Sequence, residues 1–145
     1  MSGSEPEERT VSVAVVDDDA SLCRSLSRLL RAAGIRPVTY SSAEAFLEDS
    51  ARPRFDCLLL DVQLGGISGL ELSRRLATAQ DPTPVIFITA QDDPELRTQA
   101  MAEGCAGFFR KTDPGLLVMD AIQRTAGVPG FKVDSLPWPK PPETS

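Results

Sequence analysis

In four places an apolar run of this 145-residue chain ends in a side chain that can bind a charged ligand. The run over residues 11–16 leads into three successive aspartates, and the run over residues 57–60 ends at Asp61. The other two runs end at Thr89 and Lys111. Carboxylates that lie a few Å apart repel one another strongly, so a cluster of them calls for a bound cation. The chemistry available here is that of carboxylates, a hydroxyl, an ammonium group and a hard metal ion.

An alternation of strands and helices would bring these side chains together. Strands are predicted over residues 11–16, 36–40, 55–60, 85–88 and 106–109. Helices are expected to follow them, beginning near Asp19 or Ser21, Ser42, Ser68, Pro94 and Asp113. Continuous apolar runs are typical of parallel strands that are buried on both faces, and right-handed crossovers place helices on both sides of such a sheet. The carboxyl ends of the strands then share one edge, where open α/β sheets bind ligands.

Composition excludes several classes of function. The chain contains 15 Lys and Arg against 21 Asp and Glu, a net charge of −6, which argues against direct nucleic-acid binding. It contains no histidine, so Ser-His-Asp catalysis, a His-ligated zinc site and a phosphohistidine on this chain are excluded. Its three cysteines are scattered through apolar segments and are predicted to be reduced core residues.

The location of the protein is predicted from what the chain lacks. Its first eight residues are polar and acidic, unlike a secretory signal peptide. No apolar stretch approaches the roughly 18–20 residues needed to span a bilayer. We therefore expect a cytoplasmic protein without a membrane partner.

Five residues in a fixed order indicate a family. Asp17, Asp18, Asp61, Thr89 and Lys111, at these strand ends, resemble the receiver domain of two-component response regulators. Residues 42–47 and 60–72 are most similar to the FixJ-like class within that family. The resemblance covers about residues 11–126. It implies a flavodoxin-like, doubly wound (βα)5 fold with a five-stranded parallel sheet in the order 2-1-3-4-5.

The resemblance also implies a role for each residue of the cluster. Asp61 corresponds to the phosphoacceptor, a carboxylate nucleophile that forms an aspartyl phosphate. Asp17, Asp18, Asp61 and the backbone carbonyl of Gln63 correspond to the ligands of Mg²⁺, a hard cation that prefers oxygen. Lys111 corresponds to the ammonium group that pairs with a phosphoryl oxygen. A protein of this kind accepts a phosphoryl group on itself and is not classed as an enzyme.

Two further residues correspond to the switch of the family. Thr89 would move its hydroxyl onto the phosphoryl group, and Phe108 would move inward into the space that Thr89 leaves. This movement would alter the surface formed by the fourth helix, fifth strand and fifth helix, where a downstream protein would bind. The phosphoryl donor would be a histidine kinase or a histidine phosphotransfer protein. Homodimerisation is a further expectation of the family.

Two positions depart from the family pattern. Gly65 stands where the family usually has a proline, which predicts a looser loop after Asp61. Thr112 follows Lys111 where the family has a cis proline. A cis bond before a residue other than proline costs about 2.5–4 kcal/mol. We therefore predict either a trans Lys111–Thr112 bond with an altered connection to the last helix, or a strained cis bond.

Two alternative functions are weighed. One is a degenerate receiver that binds partners without phosphorylation, which the departures at Gly65 and Thr112 would favour. The other is a phosphatase of the haloacid dehalogenase type, in which Asp17 is the nucleophile and Asp19 the general acid. Against the phosphatase, an acidic pair at residues 92–93 precedes Lys111 instead of following it, and Asp61 would have no role.

The chain is predicted to contain one folded domain. Residues 1–9 are predicted to form a disordered leader, residues 10–126 the receiver domain, and residues 127–145 a proline-rich tail too short for a second domain. No helix-turn-helix pattern follows the receiver. We expect a single-domain regulator that acts through protein contacts, with an excised receiver as the alternative.

Overall fold

Strands and helices alternate along the whole of the described chain. The structure is a computed structural model that describes residues 10–91 and 93–127, so the predicted leader and nearly all of the predicted tail lie outside the described residues. The elements are β1 (Ser12–Val16), α1 (Ala20–Ala32), β2 (Arg36–Tyr40), α2 (Ala43–Glu48), β3 (Cys57–Asp61), α3 (Gly69–Thr78), β4 (Val85–Thr89), α4 (Pro94–Ala102), β5 (Gly107–Arg110) and α5 (Gly115–Ala126). None of the helices in this part of the chain is long and apolar enough to cross a membrane.

The five strands form one parallel sheet in the order β2-β1-β3-β4-β5, which confirms the predicted fold. Every residue of β3 and β4 is buried. This burial explains why the corresponding stretches of sequence are continuously apolar.

Alternate residues of the strands supply two separate cores. Leu58 and Leu60 of β3 pack with side chains of α2, α3 and α4 on one face of the sheet. Leu59 packs with side chains of α1 and α5 on the other face. Helices therefore cover both faces, and the carboxyl edge of the sheet is left for polar groups.

β2 lies at an edge of the sheet and is only partly buried. The N–H of Arg36 donates to the carbonyl of Val11 at 2.8 Å, so the amide of Arg36 points toward β1. Because successive residues of a strand alternate in direction, the nitrogen of Pro37 points away from the sheet. Pro37 is thus placed where a strand tolerates the loss of an N–H donor.

β2 has the predicted bounds, and the bounds of the other strands differ from the predicted ones by one or two residues. β3 begins at Cys57 because Asp56 pairs with Ser12 partly through its side chain: the Ser12 N–H donates to Asp56 Oδ2 at 2.9 Å. β3 ends at Asp61, which is in register with Ile88 of β4. Asp61 is therefore the last residue of the strand and not the first residue of the loop.

Candidate functional site

Three carboxylates meet at the carboxyl edge of the sheet. Asp17 and Asp18 follow β1, and Asp61 ends β3, which is the neighbouring strand. One oxygen of each carboxylate lies within 4.8 Å of the others. Asp17 and Asp61 are 2% and 4% exposed, whereas Asp18 is exposed. The sequence-predicted acidic cluster is thus assembled from two adjacent strands.

Lys111 reaches this cluster from the connection between β5 and α5. Its Nζ donates to Asp17 Oδ1 at 3.1 Å and to Asp61 Oδ2 at 3.2 Å. Its backbone N–H donates to the carbonyl of Thr89 at 2.8 Å, which fixes the start of the connection to the end of β4. The described residues contain no cis peptide bond, so the Lys111–Thr112 bond is trans.

Burial and the neighbouring charges shift the pKa values of Asp61 and Lys111. Burial, followed by the negative charge of Asp17, raises the pKa of Asp61 to about 6, although the Gln63 N–H and Lys111 oppose the shift. Burial lowers the pKa of Lys111, but the hydrogen bond to Asp17 and the charge of Asp61 outweigh burial and raise it. Lys111 therefore remains protonated at neutral pH and offsets part of the repulsion.

The cluster has the properties of a site for a divalent cation. Asp17 Oδ2 is buried and forms an ion pair with Lys111 Nζ at 3.0 Å. A single ammonium group also leaves the three carboxylates with an excess of negative charge. Oxygen ligands of this kind suit a small hard cation such as Mg²⁺. Gln63 adjoins the cluster, since its N–H donates to Asp61 Oδ1 at 3.1 Å.

Thr89 and Phe108 lie on the two strands beside the acidic cluster. Thr89 ends β4, is fully buried and accepts a hydrogen bond from the Gln91 N–H at 3.2 Å. Phe108 on β5 is half-buried and is in register with Phe87. The guanidinium of Arg97 in α4 lies 5.1 Å from the centre of the Phe108 ring.

Sequence reasoning missed two residues that hold the loop after Asp61. Gly69 begins α3, and a Cβ at this position would collide with the backbone carbonyl oxygen of Asp61. Glu44 of α2 accepts a hydrogen bond from the Ile67 N–H at 2.8 Å, and this bond lowers the pKa of Glu44. A glycine in the first turn of a predicted helix can indicate a close backbone approach, so Gly69 could have been recognised from the sequence. Nothing local in the sequence indicated Glu44.

A comparison with known families identifies this arrangement. A family model described as the response regulator receiver domain matches residues 13–123. The chain belongs to this family, which confirms the resemblance seen in the sequence. The family membership also favours the receiver over the phosphatase alternative.

Individual relatives agree with this assignment. The transcriptional regulatory protein FixJ of Bradyrhizobium diazoefficiens is 35% identical over 99 residues, which cover 68% of this chain and 48% of FixJ. Nodulation protein W of the same species is 36% identical over 121 residues, which cover 83% of this chain and 53% of the relative. The chain thus spans about half the length of these curated relatives.

Solved structures show the same fold. The crystal structure of FixJ-N has a TM-score of 0.74 and 29% identity, covering 86% of this chain and 99% of that one. A response regulator receiver protein from Burkholderia phymatum has a TM-score of 0.73 and 43% identity, covering 82% of this chain and 97% of that one.

Proposed function

We propose that this protein is a signalling receiver in which Asp61 accepts a phosphoryl group from a histidine kinase or a histidine phosphotransfer protein. One observation carries the proposal: Asp17, Asp18 and Lys111 converge from separate strand ends around the buried carboxylate of Asp61. In this role the protein is a phosphoacceptor that promotes its own modification, and it is not a classified enzyme.

Asp61 supplies the nucleophile. With a pKa of about 6, its carboxylate is mostly ionised at neutral pH, even before a cation binds. One carboxylate oxygen forms a bond to phosphorus while the bond from phosphorus to the donor nitrogen of phosphohistidine breaks. Lys111, which already contacts Asp61 Oδ2, would turn to a phosphoryl oxygen as that oxygen arrives.

Mg²⁺ is the proposed cofactor. Asp17, Asp18, Asp61 and the backbone carbonyl of Gln63 would hold it. When bound, the ion would neutralise the carboxylates and withdraw charge from the phosphoryl oxygens. The excess negative charge of the three carboxylates over the single ammonium group of Lys111 supports this assignment.

Thr89 and Phe108 are the proposed switch. Thr89 Oγ1 holds the Gln91 N–H at present, so a move of the hydroxyl toward the phosphoryl group would release the loop after β4. Phe108 would then move inward from its half-buried position and would lose its contact with Arg97. The surface formed by α4, β5 and α5 would change accordingly, and a downstream protein would bind there.

The proposed output is contact with a protein and not direct contact with nucleic acid. The net charge of −6 supports this proposal, because binders of duplex nucleic acid normally present a basic face. We place the protein in the cytoplasm, where its kinase partner would act. Homodimerisation is proposed as well.

The test is incubation with acetyl phosphate and Mg²⁺, followed by intact-mass measurement. We expect the wild type to gain one phosphoryl group and Asp61→Asn to gain none. Asp19→Asn is the matched control, since Asp19 adjoins the cluster but caps α1 by accepting from the Leu22 N–H, and asparagine caps helices equally well. A phosphoryl gain on Asp61→Asn would refute the assignment. No gain on the wild type would favour a degenerate receiver.

A further inference from the structure

Every charged residue of α1, the helix that follows Asp17 and Asp18, is an arginine. α1 contains Arg24, Arg28 and Arg31 and no acidic residue, in a chain whose net charge is −6. All three arginines are exposed. Their spacing places them along the helix over about 10 Å. α1 is therefore a basic element of a protein whose net charge is negative.

These arginines are not used for ion pairs within the described domain. Arg74, Arg75 and Arg124 each contact a carboxylate at 2.8–3.1 Å. Among the described residues, no carboxylate forms such a pair with an arginine of α1. The chain contains more carboxylates than basic groups, and yet none of the described carboxylates pairs with the arginines of α1.

Helix stability does not explain the pattern either. Arg31 lies in the last turn of α1, where a cation is favourable to the helix dipole. Arg24 lies near the other end, where the dipole favours carboxylates, and the first turn contains none. The three arginines, here called the basic stripe, thus extend toward the acidic cluster, although the helix dipole disfavours positive charge at that end.

The stripe and the acidic cluster share one groove. A cavity of about 520 Å³ between α1 and β2 is lined by the three arginines along its length. Asp17 and Asp18 line the same cavity. An anion held by the arginines would therefore lie in a continuous depression that leads to the carboxylates.

The balance of charge around the site indicates that the basic stripe would attract an anionic donor. With a divalent cation and Lys111 in place, the three carboxylates of the site are neutralised, so the site itself attracts no anion from a distance. The net charge of the chain is −6, so the molecule as a whole repels anions. The field of the arginine stripe is then the local source of attraction for a negatively charged donor.

We propose that the groove between α1 and β2 captures small anionic phosphodonors of the acyl phosphate class and raises the rate at which they phosphorylate Asp61. In the transfer step, an Asp61 oxygen forms the bond to phosphorus, the bond from phosphorus to the acyl oxygen breaks, and the carboxylate of the donor leaves with the electron pair. This inference rests on the proposed function, because it requires Asp61 to be the acceptor.

The test compares two donors with different charge. Acetyl phosphate is a dianion at pH 7, whereas phosphoramidate carries less net negative charge. The variant combines Arg24→Gln, Arg28→Gln and Arg31→Gln, and Arg36→Gln is the control, since Arg36 is exposed but does not line this groove. Phosphorylation rates are measured by intact mass at ionic strengths from about 20 mM to about 300 mM.

At low salt we expect the triple variant to react with acetyl phosphate about tenfold more slowly than the wild type and to lose most of the salt dependence. The rate with phosphoramidate should fall much less, and the triple Arg→Lys variant should retain the salt dependence. An unchanged salt dependence in the Gln variant, or an equal loss with both donors, would overturn the proposal. Failure of the wild type to react with either donor would instead refute the role of Asp61.

Discussion

Asp61 holds its proton more tightly in the folded protein than in the unfolded chain. Burial and the charge of Asp17 raise its pKa from 3.8 to about 6 when no cation is bound. The stability that the protonated carboxyl contributes is fully present below the unfolded value and is lost as the pH rises through about 6. At neutral pH the metal-free domain therefore contains a destabilising charge at the centre of its site.

We predict that Asp61→Asn stabilises the metal-free domain by about 2 kcal/mol at pH 7.5, and by little near pH 4, where the wild-type carboxyl is protonated. Urea denaturation in the presence of EDTA measures both values. The exposed Asp18→Asn variant is the control and should show a smaller gain at pH 7.5. An equal effect of Asp61→Asn at the two pH values would contradict the prediction.

The residues of the site differ in how far they were predictable. Asp17, Asp61 and Lys111 follow apolar runs, and the topology of a parallel sheet brings such positions to one edge. The isomer of the Lys111–Thr112 peptide bond was not predictable, because the sequence left both trans and cis open. The exposure of Asp18 depends on the path of the loop between β1 and α1, which no local pattern encodes.

The loop between β3 and α3 offers a matched pair of glycines. Gly66 has a φ of +75°, and a Cβ there would collide with the carboxylate of Glu44, whereas a Cβ on Gly65 would meet open space. We predict that Gly66→Ala lowers the free energy of unfolding by about 1 kcal/mol or more, mainly through backbone strain. Gly65→Ala should leave it unchanged or raise it by about 0.5 kcal/mol.

Chemical denaturation of the two variants measures both free energies of unfolding, and equal losses would contradict the prediction.

The same loop shows why the prediction of the elements was incomplete. The strands were predictable because burial on both faces requires continuous apolar runs. The restraint by Glu44 is a contact between residues 23 positions apart, Glu44 and Ile67, and depends on how α2 packs beside β3. Gly65 alone predicted a looser loop, but the structure also shows a hydrogen bond from this loop to Glu44 of α2.

At the scale of the whole molecule, binding of the proposed Mg²⁺ would be coupled to folding. A ligand that binds only the folded state stabilises it by about 2.7 kcal/mol at a hundredfold excess over its Kd. We therefore predict that Mg²⁺ raises the Tm of the wild type relative to a sample with EDTA at the same ionic strength. The Asp17→Asn and Asp61→Asn variants should show a much smaller rise. A shift of equal size in all three proteins would indicate non-specific binding of the ion.

The position of β2 at one edge of the sheet, as far as the described residues show, has a consequence for self-association. An exposed edge strand presents N–H and C=O groups on which a strand of another chain can assemble, and such pairing leads to aggregates. Pro37 interrupts the outward row of donors in β2, because its nitrogen points away from β1 and bears no hydrogen. Growth of the sheet beyond β2 is thereby disfavoured, and replacement of Pro37 by a residue with an N–H would remove this protection during folding at high concentration.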